Sequence, residues 1–229
     1  MSEQDLMRDQ IRNEFERERG YWRPWNDTLL RERPNFLQNY ARYAGHPART
    51  GPLSERMIEL IYVGLDASSS HLFEAGLRVH MEKALKVGAS RQDIFDVLHL
   101  VAGQGIECTL QGIEILAEEI SQTQDVKNVS GESAFDWLAW NDPSYAELTH
   151  SLMSDGFSTE GLSPAERCLV QIALHACFTA FNPKALREHI RKGIEIGLSS
   201  AQTLQSIQLG AHLSVHGTAL GAQVFETLN

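Results

Sequence analysis

The chain repeats itself at an offset of 109 residues, and this duplication limits its possible folds more than any other feature. His80 aligns with His189, and the alignment continues without a gap through these further identities: Pro34/Pro143, Leu53-Ser54/Leu162-Ser163, Arg78/Arg187, Lys83/Lys192, Gly88/Gly197, Ser90/Ser199, Ala102/Ala211, Thr109/Thr218 and Gly112/Gly221. A chance register would not persist over this length, so the sequence predicts a duplicated unit at 33–118 and 142–229. Two copies are too few for a solenoid, and we expect them to pack as a pseudo-twofold pair within one domain.

Each copy carries signals for helices. Ser163-Pro164-Ala165-Glu166 forms a capping box with proline at the first helical position, where its missing N–H costs nothing. In both copies a glycine, Gly88 or Gly197, is followed two residues later by a serine, a pattern typical of one helix ending and the next beginning. No apolar/polar alternation is long enough for a sheet. The predicted fold class is therefore all-α, built from a duplicated helical repeat.

Two segments fall outside the predicted repeats. Residues 1–32 begin with an amphipathic helix bearing Met7, Ile11 and Phe15, followed by the aromatic turn GYWRPW. This arm could close over a ligand, but packing onto its own core or onto a neighbouring subunit is the favoured interpretation. Residues 119–141, which include the polar stretch SQTQDVKNVSGES, are predicted to link the copies.

Composition excludes several classes of function. Lys and Arg number 20 against 30 Asp and Glu, a net charge of −10, which argues against nucleic acid or an anionic membrane as the main partner. No apolar run approaches the roughly 18 to 20 residues of a membrane span, and the N-terminus is charged, so we expect a cytoplasmic protein. Cys108, Cys168 and Cys177 lack Cys-x-x-Cys spacing and are expected to be small buried residues rather than a disulfide or zinc framework.

The stretch HLFEAGLRVHMEKALKVGAS, residues 71–90, contains the histidine shared by the two copies. At about 100° per residue, His80 lies on the apolar side of this helix, where a single histidine is usually a core residue bound to a backbone carbonyl. The second copy keeps His189 although most neighbours differ, which favours a role for the pair. Glu74 and Arg78, four residues apart, are more simply a surface ion pair than a substrate clamp.

The run from His80 to Ile94, HMEKALKVGASRQDI, followed by VLHLVAGQGIECTLQGIEIL, resembles the carboxymuconolactone decarboxylase family, which includes the alkylhydroperoxidase D type. The motif His-x3-Ala-x3-Gly-Ala-Ser/Thr-x2-Glu/Asp-Ile is complete in the first copy. In the second copy Gly193 replaces its alanine and Thr203 its isoleucine. The resemblance covers both repeats and implies an all-helical unit that associates in rings, with pockets between helices and subunits.

The peroxidase branch of this family requires Cys-x-x-Cys-x-x-x-His, because one thiolate attacks the peroxide and a second thiol resolves the product. The corresponding positions are Phe73 and Gly76 in the first copy and Asn182 and Ala185 in the second. The sequence therefore argues against a thiol peroxidase. The family's acid upstream of the histidine matches Glu59, across a turn about two residues longer.

The decarboxylase side of the family implies cofactor-free loss of CO₂ from a carboxylated unsaturated lactone, which needs a weakly solvated carboxylate and a proton donor. We expect His80 to be the general acid or base, Glu107 to orient it or shuttle its proton, and His71 or Glu74 to contact the substrate. In the second repeat the candidates are His189, His212 and His216. Hydration, isomerisation or carbon–carbon cleavage would use the same groups, and no cofactor is expected.

Two other functions stay open. A non-catalytic ligand-binding or scaffold protein could keep the helical core after losing the thiols. A metal-dependent hydrolase or lyase could use His212 and His216 of HLSVH, with His189 or His175 as third ligand, although the acid that metalloproteases place between two such histidines is absent.

The expected partners are a small-molecule substrate and further copies of this chain. A two-repeat chain imitates a dimer of the family's single units and would close a ring with fewer copies, so we expect a homo-oligomer and suspect a trimer.

Overall fold

The computed structural model describes residues 2–123, 133–154, 157 and 159–228. These residues form helices and no strand, so the prediction of an all-α fold is confirmed. The helices are α1 (Glu3–Arg19), α2 (Pro24–Glu32), α3 (Pro34–Thr50), α4 (Glu55–Ala67), α5 (Glu74–Lys86), α6 (Arg91–Thr123), α7 (Ala134–Asn141), α8 (Pro143–Ser154), α9 (Pro164–Ala176), α10 (Pro183–Glu195), α11 (Ser200–Leu209), a 3₁₀ turn (His212–Ser214) and α12 (Val215–Glu226).

Helix boundaries follow the local sequence signals. The Ser163 side chain accepts a hydrogen bond from the backbone N–H of Glu166, whose carboxylate accepts in return from the Ser163 N–H, completing the predicted capping box at the start of α9. Gly88 and Gly197 adopt φ angles of 96° and 91°, which residues with a Cβ rarely adopt, and end α5 and α10 in left-handed conformation.

The repeat organises the packing. Helices α4, α5 and α6 correspond at the 109-residue offset to α9, α10 and the α11 to α12 segment, and α4 packs against α9 in the centre of the molecule. The third helix of each repeat crosses to the other repeat. Helix α6 packs on both α4 and α9, while the 3₁₀ turn before α12 contacts α4. Side chains from both repeats therefore meet at two equivalent places.

The helical correspondence begins before the predicted repeat boundaries, because α2 and α7 also match at the offset. The predicted linker 119–141 is helical at both ends, where α6 runs to Thr123 and α7 fills 134–141. Residues 124–132 of that segment lie outside the described residues. The division at 33–118 and 142–229 remains a prediction.

The N-terminal arm packs onto its own chain. Ile11 and Phe15 are fully buried, and the Phe15 ring meets Tyr21, Trp22 and Trp25 edge-on at centroid distances of 5.4 to 6.0 Å. Helices α1 and α2 pack on α3, and α2 also packs on α12. Across the described residues, no helix combines the length and apolar character that crossing a bilayer would demand.

Candidate functional site

Two polar clusters lie at equivalent places in the two repeats. The first cluster contains Glu59, Asp66, His71, His80, His212 and His216, and the second contains Glu107, Cys168, His175 and His189. At the offset of 109, four positions correspond: Glu59/Cys168, Asp66/His175, His80/His189 and His216/Glu107. Each cluster takes residues from α4 and α5, or from α9 and α10. The first also receives His71 from the turn after α4 and His212 and His216 from the other repeat, whereas the second receives Glu107 alone from α6.

His80 is held by a carboxylate on the neighbouring helix. Its Nδ1 lies 2.5 Å from Oε2 of Glu59, and the Lys83 ammonium lies 3.7 Å from the other Glu59 oxygen. Both side chains are nearly buried, at 12% and 8% exposure. Glu59, the residue matched to the family's acid, therefore lies in direct contact with His80. The expected apolar surroundings of His80 were wrong, because the facing side of α4 presents carboxylates.

Asp66 is a buried carboxyl group without a hydrogen-bond partner. It lies at the end of α4 with no solvent exposure, and neither side-chain oxygen accepts a hydrogen bond. Its oxygens lie 3.9 Å from Nε2 of His80 and 3.8 Å from Nε2 of His71. Burial disfavours the charged form and raises the pKa of Asp66 to about 7. At neutral pH this carboxyl can therefore hold or release a proton beside His80.

The carboxyl of Asp66 also occupies the place of one missing thiol. A Cβ at Gly76 would lie 2.2 Å from Oδ2 of Asp66 and 2.6 Å from Cδ1 of Phe73, so any side chain there would force these two residues to shift. Position 76 is where the peroxidase branch would carry its second cysteine. The site has thus exchanged a thiol for a carboxyl group, which agrees with the argument against peroxidase chemistry.

His71 and His216 face each other across the two repeats. Nε2 of His71 lies 2.8 Å from Nδ1 of His216, and the two rings are nearly parallel. Burial lowers the pKa of both, that of His216 to about 4, so one neutral imidazole donates to the other. Leu72 has a left-handed φ of 50°, a strained conformation that directs both His71 and Phe73 onto the His216 ring.

His212 borders a cavity. Arg19, from the N-terminal arm, places its Nη2 3.2 Å from Nδ1 of His212, and burial together with this cation holds the pKa of His212 well below its usual value. The Tyr62 ring lies between His212 and His80, at centroid distances of 4.1 and 4.7 Å. The cavity, of about 310 Å³, is lined by Tyr62 and His212 and on its other wall by residues of α3 such as His46.

The predicted metal pair of His212 and His216 does not form. The two residues do not share a regular helix, because His212 belongs to the 3₁₀ turn and α12 begins only at Val215. Their rings are perpendicular, at a centroid distance of 5.9 Å, and Nδ1 of His212 accepts from the Arg19 guanidinium. The neighbouring positive charge makes His212 a poor metal ligand.

The second cluster is centred on Glu107. Its Oε1 lies 2.8 Å from Nε2 of His189 and its Oε2 lies 2.5 Å from Nε2 of His175. The prediction that Glu107 orients His80 was wrong, since α6 crosses to α9 and carries Glu107 to the histidine of the other repeat. The Cys168 side chain also interacts with His189.

The charges in the second cluster stabilise one another. Burial alone would raise the pKa of Glu107, but the close contacts with His175 and His189 outweigh it and lower the pKa to about 2. Burial would likewise lower the pKa of His189, yet its contacts with Cys168 and Glu107 raise it to about 9. The Glu107 to His189 contact is therefore a carboxylate paired with an imidazolium at neutral pH.

Glu74 lies outside both clusters. Its side chain is 86% exposed and forms an ion pair with Arg78 at 3.2 Å, as expected for the surface alternative. The contact to substrate proposed for it has no support in this geometry. Asp66 was missed by sequence reasoning, although the offset aligns it with His175, and that exchange of acid for histidine was an available signal.

Comparison with known proteins points to the family already suggested by the motif. The model of the carboxymuconolactone decarboxylase family matches residues 34–104. A crystal structure of a candidate gamma-carboxymuconolactone decarboxylase subunit from Burkholderia xenovorans LB400 superposes with a TM-score of 0.84 at 25% sequence identity, covering 96% of this chain and 96% of the other. No curated protein matches the chain. Residues 34–104 are therefore similar to the carboxymuconolactone decarboxylase family, and the chain has the helical fold of that solved structure.

Proposed function

We propose that this chain is an acid–base enzyme of the carboxymuconolactone decarboxylase type, acting at the first cluster on a small lactone or carbonyl compound without a redox cofactor. The observation that carries the proposal is the unpartnered, buried carboxyl of Asp66, 3.9 Å from Nε2 of a histidine whose Nδ1 is held by Glu59. A buried acid poised near neutral pH beside an oriented imidazole is the arrangement that general acid catalysis requires.

The geometry supports a separate role for each of the three residues. The Glu59 carboxylate accepts a hydrogen bond from the Nδ1–H of His80 and fixes the orientation of the ring, so that Nε2 faces Asp66. In a decarboxylation the bond between the substrate's carboxylate carbon and its ring carbon breaks, CO₂ leaves, and the electron pair passes into the conjugated carbonyl. Asp66 gives its proton to Nε2 of His80, and Nε2 delivers that proton to the carbon as the electron pair returns to it. Asp66 then regains a proton from solvent.

The cavity beside the cluster suits a small ligand. Its volume of about 310 Å³ lies at the lower end of the range for ligand pockets, and it meets the cluster at Tyr62 and His212. Burial raises the pKa of Tyr62 to about 12, so the phenol keeps its proton and can donate to a carbonyl oxygen.

The first test is turnover of γ-carboxymuconolactone by the purified, untagged full chain, with CO₂ release and product followed by mass spectrometry. We expect wild-type turnover and its loss in His80→Ala, with folding retained by circular dichroism. Glu82→Gln is the matched control, because Glu82 is exposed on the same helix two residues away.

Each other outcome has a definite meaning. Turnover that is unchanged in His80→Ala would remove His80 from the mechanism. Absent turnover would discard the prototype substrate, and a panel of other carboxylated lactones would then be tested. A ligand that raises the melting temperature without being converted would favour the non-catalytic binding alternative.

We also propose that the chain forms a homo-oligomer, with a trimer as the size to test. Large apolar side chains are exposed on α6 and α8, namely Ile115, Leu116, Leu148 and Leu152, at 48% to 66% exposure. An apolar surface of this kind supports association with further copies. Sedimentation velocity over a range of concentrations measures the mass, and a monomer at all concentrations would contradict the proposal.

A further inference from the structure

We propose that the second cluster is a binding site for one divalent transition-metal ion of the Zn²⁺ class, with Glu107, His175 and His189 as ligands. This site is separate from the acid–base centre at the first cluster and does not depend on the proposed function.

The three ligand atoms converge from three helices. Glu107 comes from α6, His175 from α9 and His189 from α10, and one ligand atom from each lies within 4.8 Å of the others. The two nitrogen–oxygen distances, 2.5 and 2.8 Å, are shorter than the roughly 3.3 Å between ligands of a tetrahedral zinc ion with bonds near 2 Å. Binding therefore requires these contacts to open by somewhat under an ångström, a side-chain adjustment.

The cluster also contains polar atoms that lack partners. His175 is 1% exposed, and neither of its ring nitrogens makes a hydrogen bond. Oε2 of Glu107 also lacks a hydrogen-bond partner. Nε2 of His175 lies 2.5 Å away, but the two groups are not aligned for a hydrogen bond. Buried polar atoms without partners are costly, and one cation placed between this nitrogen and this oxygen would satisfy both.

The donor set fits the chemistry of zinc and its neighbours in the first transition series. Two imidazole nitrogens and one carboxylate oxygen form a three-ligand set that leaves one coordination position open. The Cys168 side chain also interacts with His189 and would help to hold its ring in orientation, as contacts to metal-binding histidines commonly do. Glu107 and His189 keep 13% and 18% exposure, so an ion can enter from solvent.

The first cluster contains a superficially similar group. Asp66, His71 and His216 also bring their atoms within 4.8 Å of one another. There, however, the two histidines satisfy each other directly at 2.8 Å, and Asp66 lies 3.8 Å from His71. In the second cluster both imidazoles face the same carboxylate, which is why we assign the metal to that cluster.

The test uses untagged full-length protein treated with a chelator and then dialysed against Zn²⁺ or Co²⁺. We expect one equivalent of metal by elemental analysis, and with Co²⁺ a visible absorption band of a four- or five-coordinate ion. Glu107→Gln and His189→Gln should each weaken metal binding at least tenfold. The matched control is His71→Gln in the first cluster, which should bind metal like wild type.

The controls separate this proposal from misfolding and from the first cluster. Circular dichroism and gel filtration verify that each variant is folded, and His80→Ala should retain the metal whatever its turnover. Less than a tenth of an equivalent on the folded wild type at saturating metal would overturn the proposal. Metal binding by Glu107→Gln equal to that of wild type would also overturn it. A loss of metal binding in His71→Gln alone would place the ion in the first cluster instead.

Discussion

The two clusters occupy equivalent positions in one scaffold, yet the pKa of the central carboxyl group is shifted in opposite directions. In the first, the carboxyl of Asp66 has no hydrogen-bond partner, and burial raises its pKa to about 7. In the second, the carboxylate of Glu107 lies between two imidazoles, and its pKa falls to about 2. Burial opposes ionisation in both places, so the presence or absence of a bonded partner decides the charge.

The difference follows from an exchange of residue types between positions that correspond at the 109-residue offset. Where the first repeat has Asp66 the second has His175, and where the first has Glu107 the second has His216. Because the third helices cross, each cluster receives one acid and one histidine at these two positions. His189 and its contact with Glu107 then complete a charge-paired network, whereas the nearest histidines to Asp66 stay 3.8 to 3.9 Å away.

The largest expected effect comes from Asp66→Asn. The change keeps the shape of the side chain but removes the acid that replaces the proton on His80, so kcat should fall by about 10² to 10⁴. Steady-state turnover measures the effect, with Glu82→Gln as control. Turnover within a factor of three of wild type would mean that the raised pKa of this carboxyl has no catalytic use.

The same variant should alter the dependence of stability on pH. The pKa of Asp66 is about 7 in the folded protein, above the ordinary value of 3.8, so the native state binds more protons between pH 4 and pH 7. Its contribution to the free energy of unfolding is therefore greatest below pH 4 and falls as pH rises through 7, by up to roughly 4 kcal/mol.

Urea unfolding of wild type and Asp66→Asn at several pH values measures this difference. The variant should gain stability relative to wild type as pH rises from 4 to 7. The groups that face Asp66 are His71, His80 and, through His71, His216; their titration is common to both proteins and largely cancels in the comparison. A constant difference across this range would show that Asp66 ionises normally.

Glu107→Gln should lower stability at neutral pH, in contrast to Asp66→Asn. Removing the carboxylate leaves two buried histidines without their common partner, and chelator-treated protein should lose about 3 kcal/mol of unfolding free energy. Urea unfolding at pH 7 measures it beside Asp66→Asn, which should be neutral or stabilising. Equal losses in the two variants would erase the contrast between the clusters.

The smallest effect concerns the space that Asp66 fills. Gly76→Ala places a Cβ 2.2 Å from Oδ2 of Asp66, so it should lower stability by about 1 to 3 kcal/mol and reduce turnover by displacing the carboxyl. Gly105→Ala is the control, because nothing lies within 4 Å of its added methyl group, and it should stabilise α6 by about 0.5 to 1 kcal/mol. Thermal denaturation compares the two, and an unaffected Gly76→Ala would show that Asp66 can move aside freely.

Much of the fold could be read from local sequence. Ser163 with Glu166 and the two left-handed glycines fixed helix ends that the structure reproduces, because caps depend on neighbouring residues alone. The resemblance also selected His80 and, through the family's acid, Glu59. Asp66 was missed because its role depends on burial without a hydrogen-bond partner, which sequence does not record; its alignment with His175 was the only linear signal.

By itself, the sequence determined the repeat, the helical class, the absence of the peroxidase thiols and the pair of shared histidines, since each depends on residue identity at short or fixed spacing. Only the tertiary structure decided which acidic side chain contacts which histidine. The crossing of α6 sends Glu107 to His189, and the turn before α12 brings the His212 and His216 segment to His80. Such pairings depend on helix packing between residues 80 or more positions apart, and burial then sets the charge of each group.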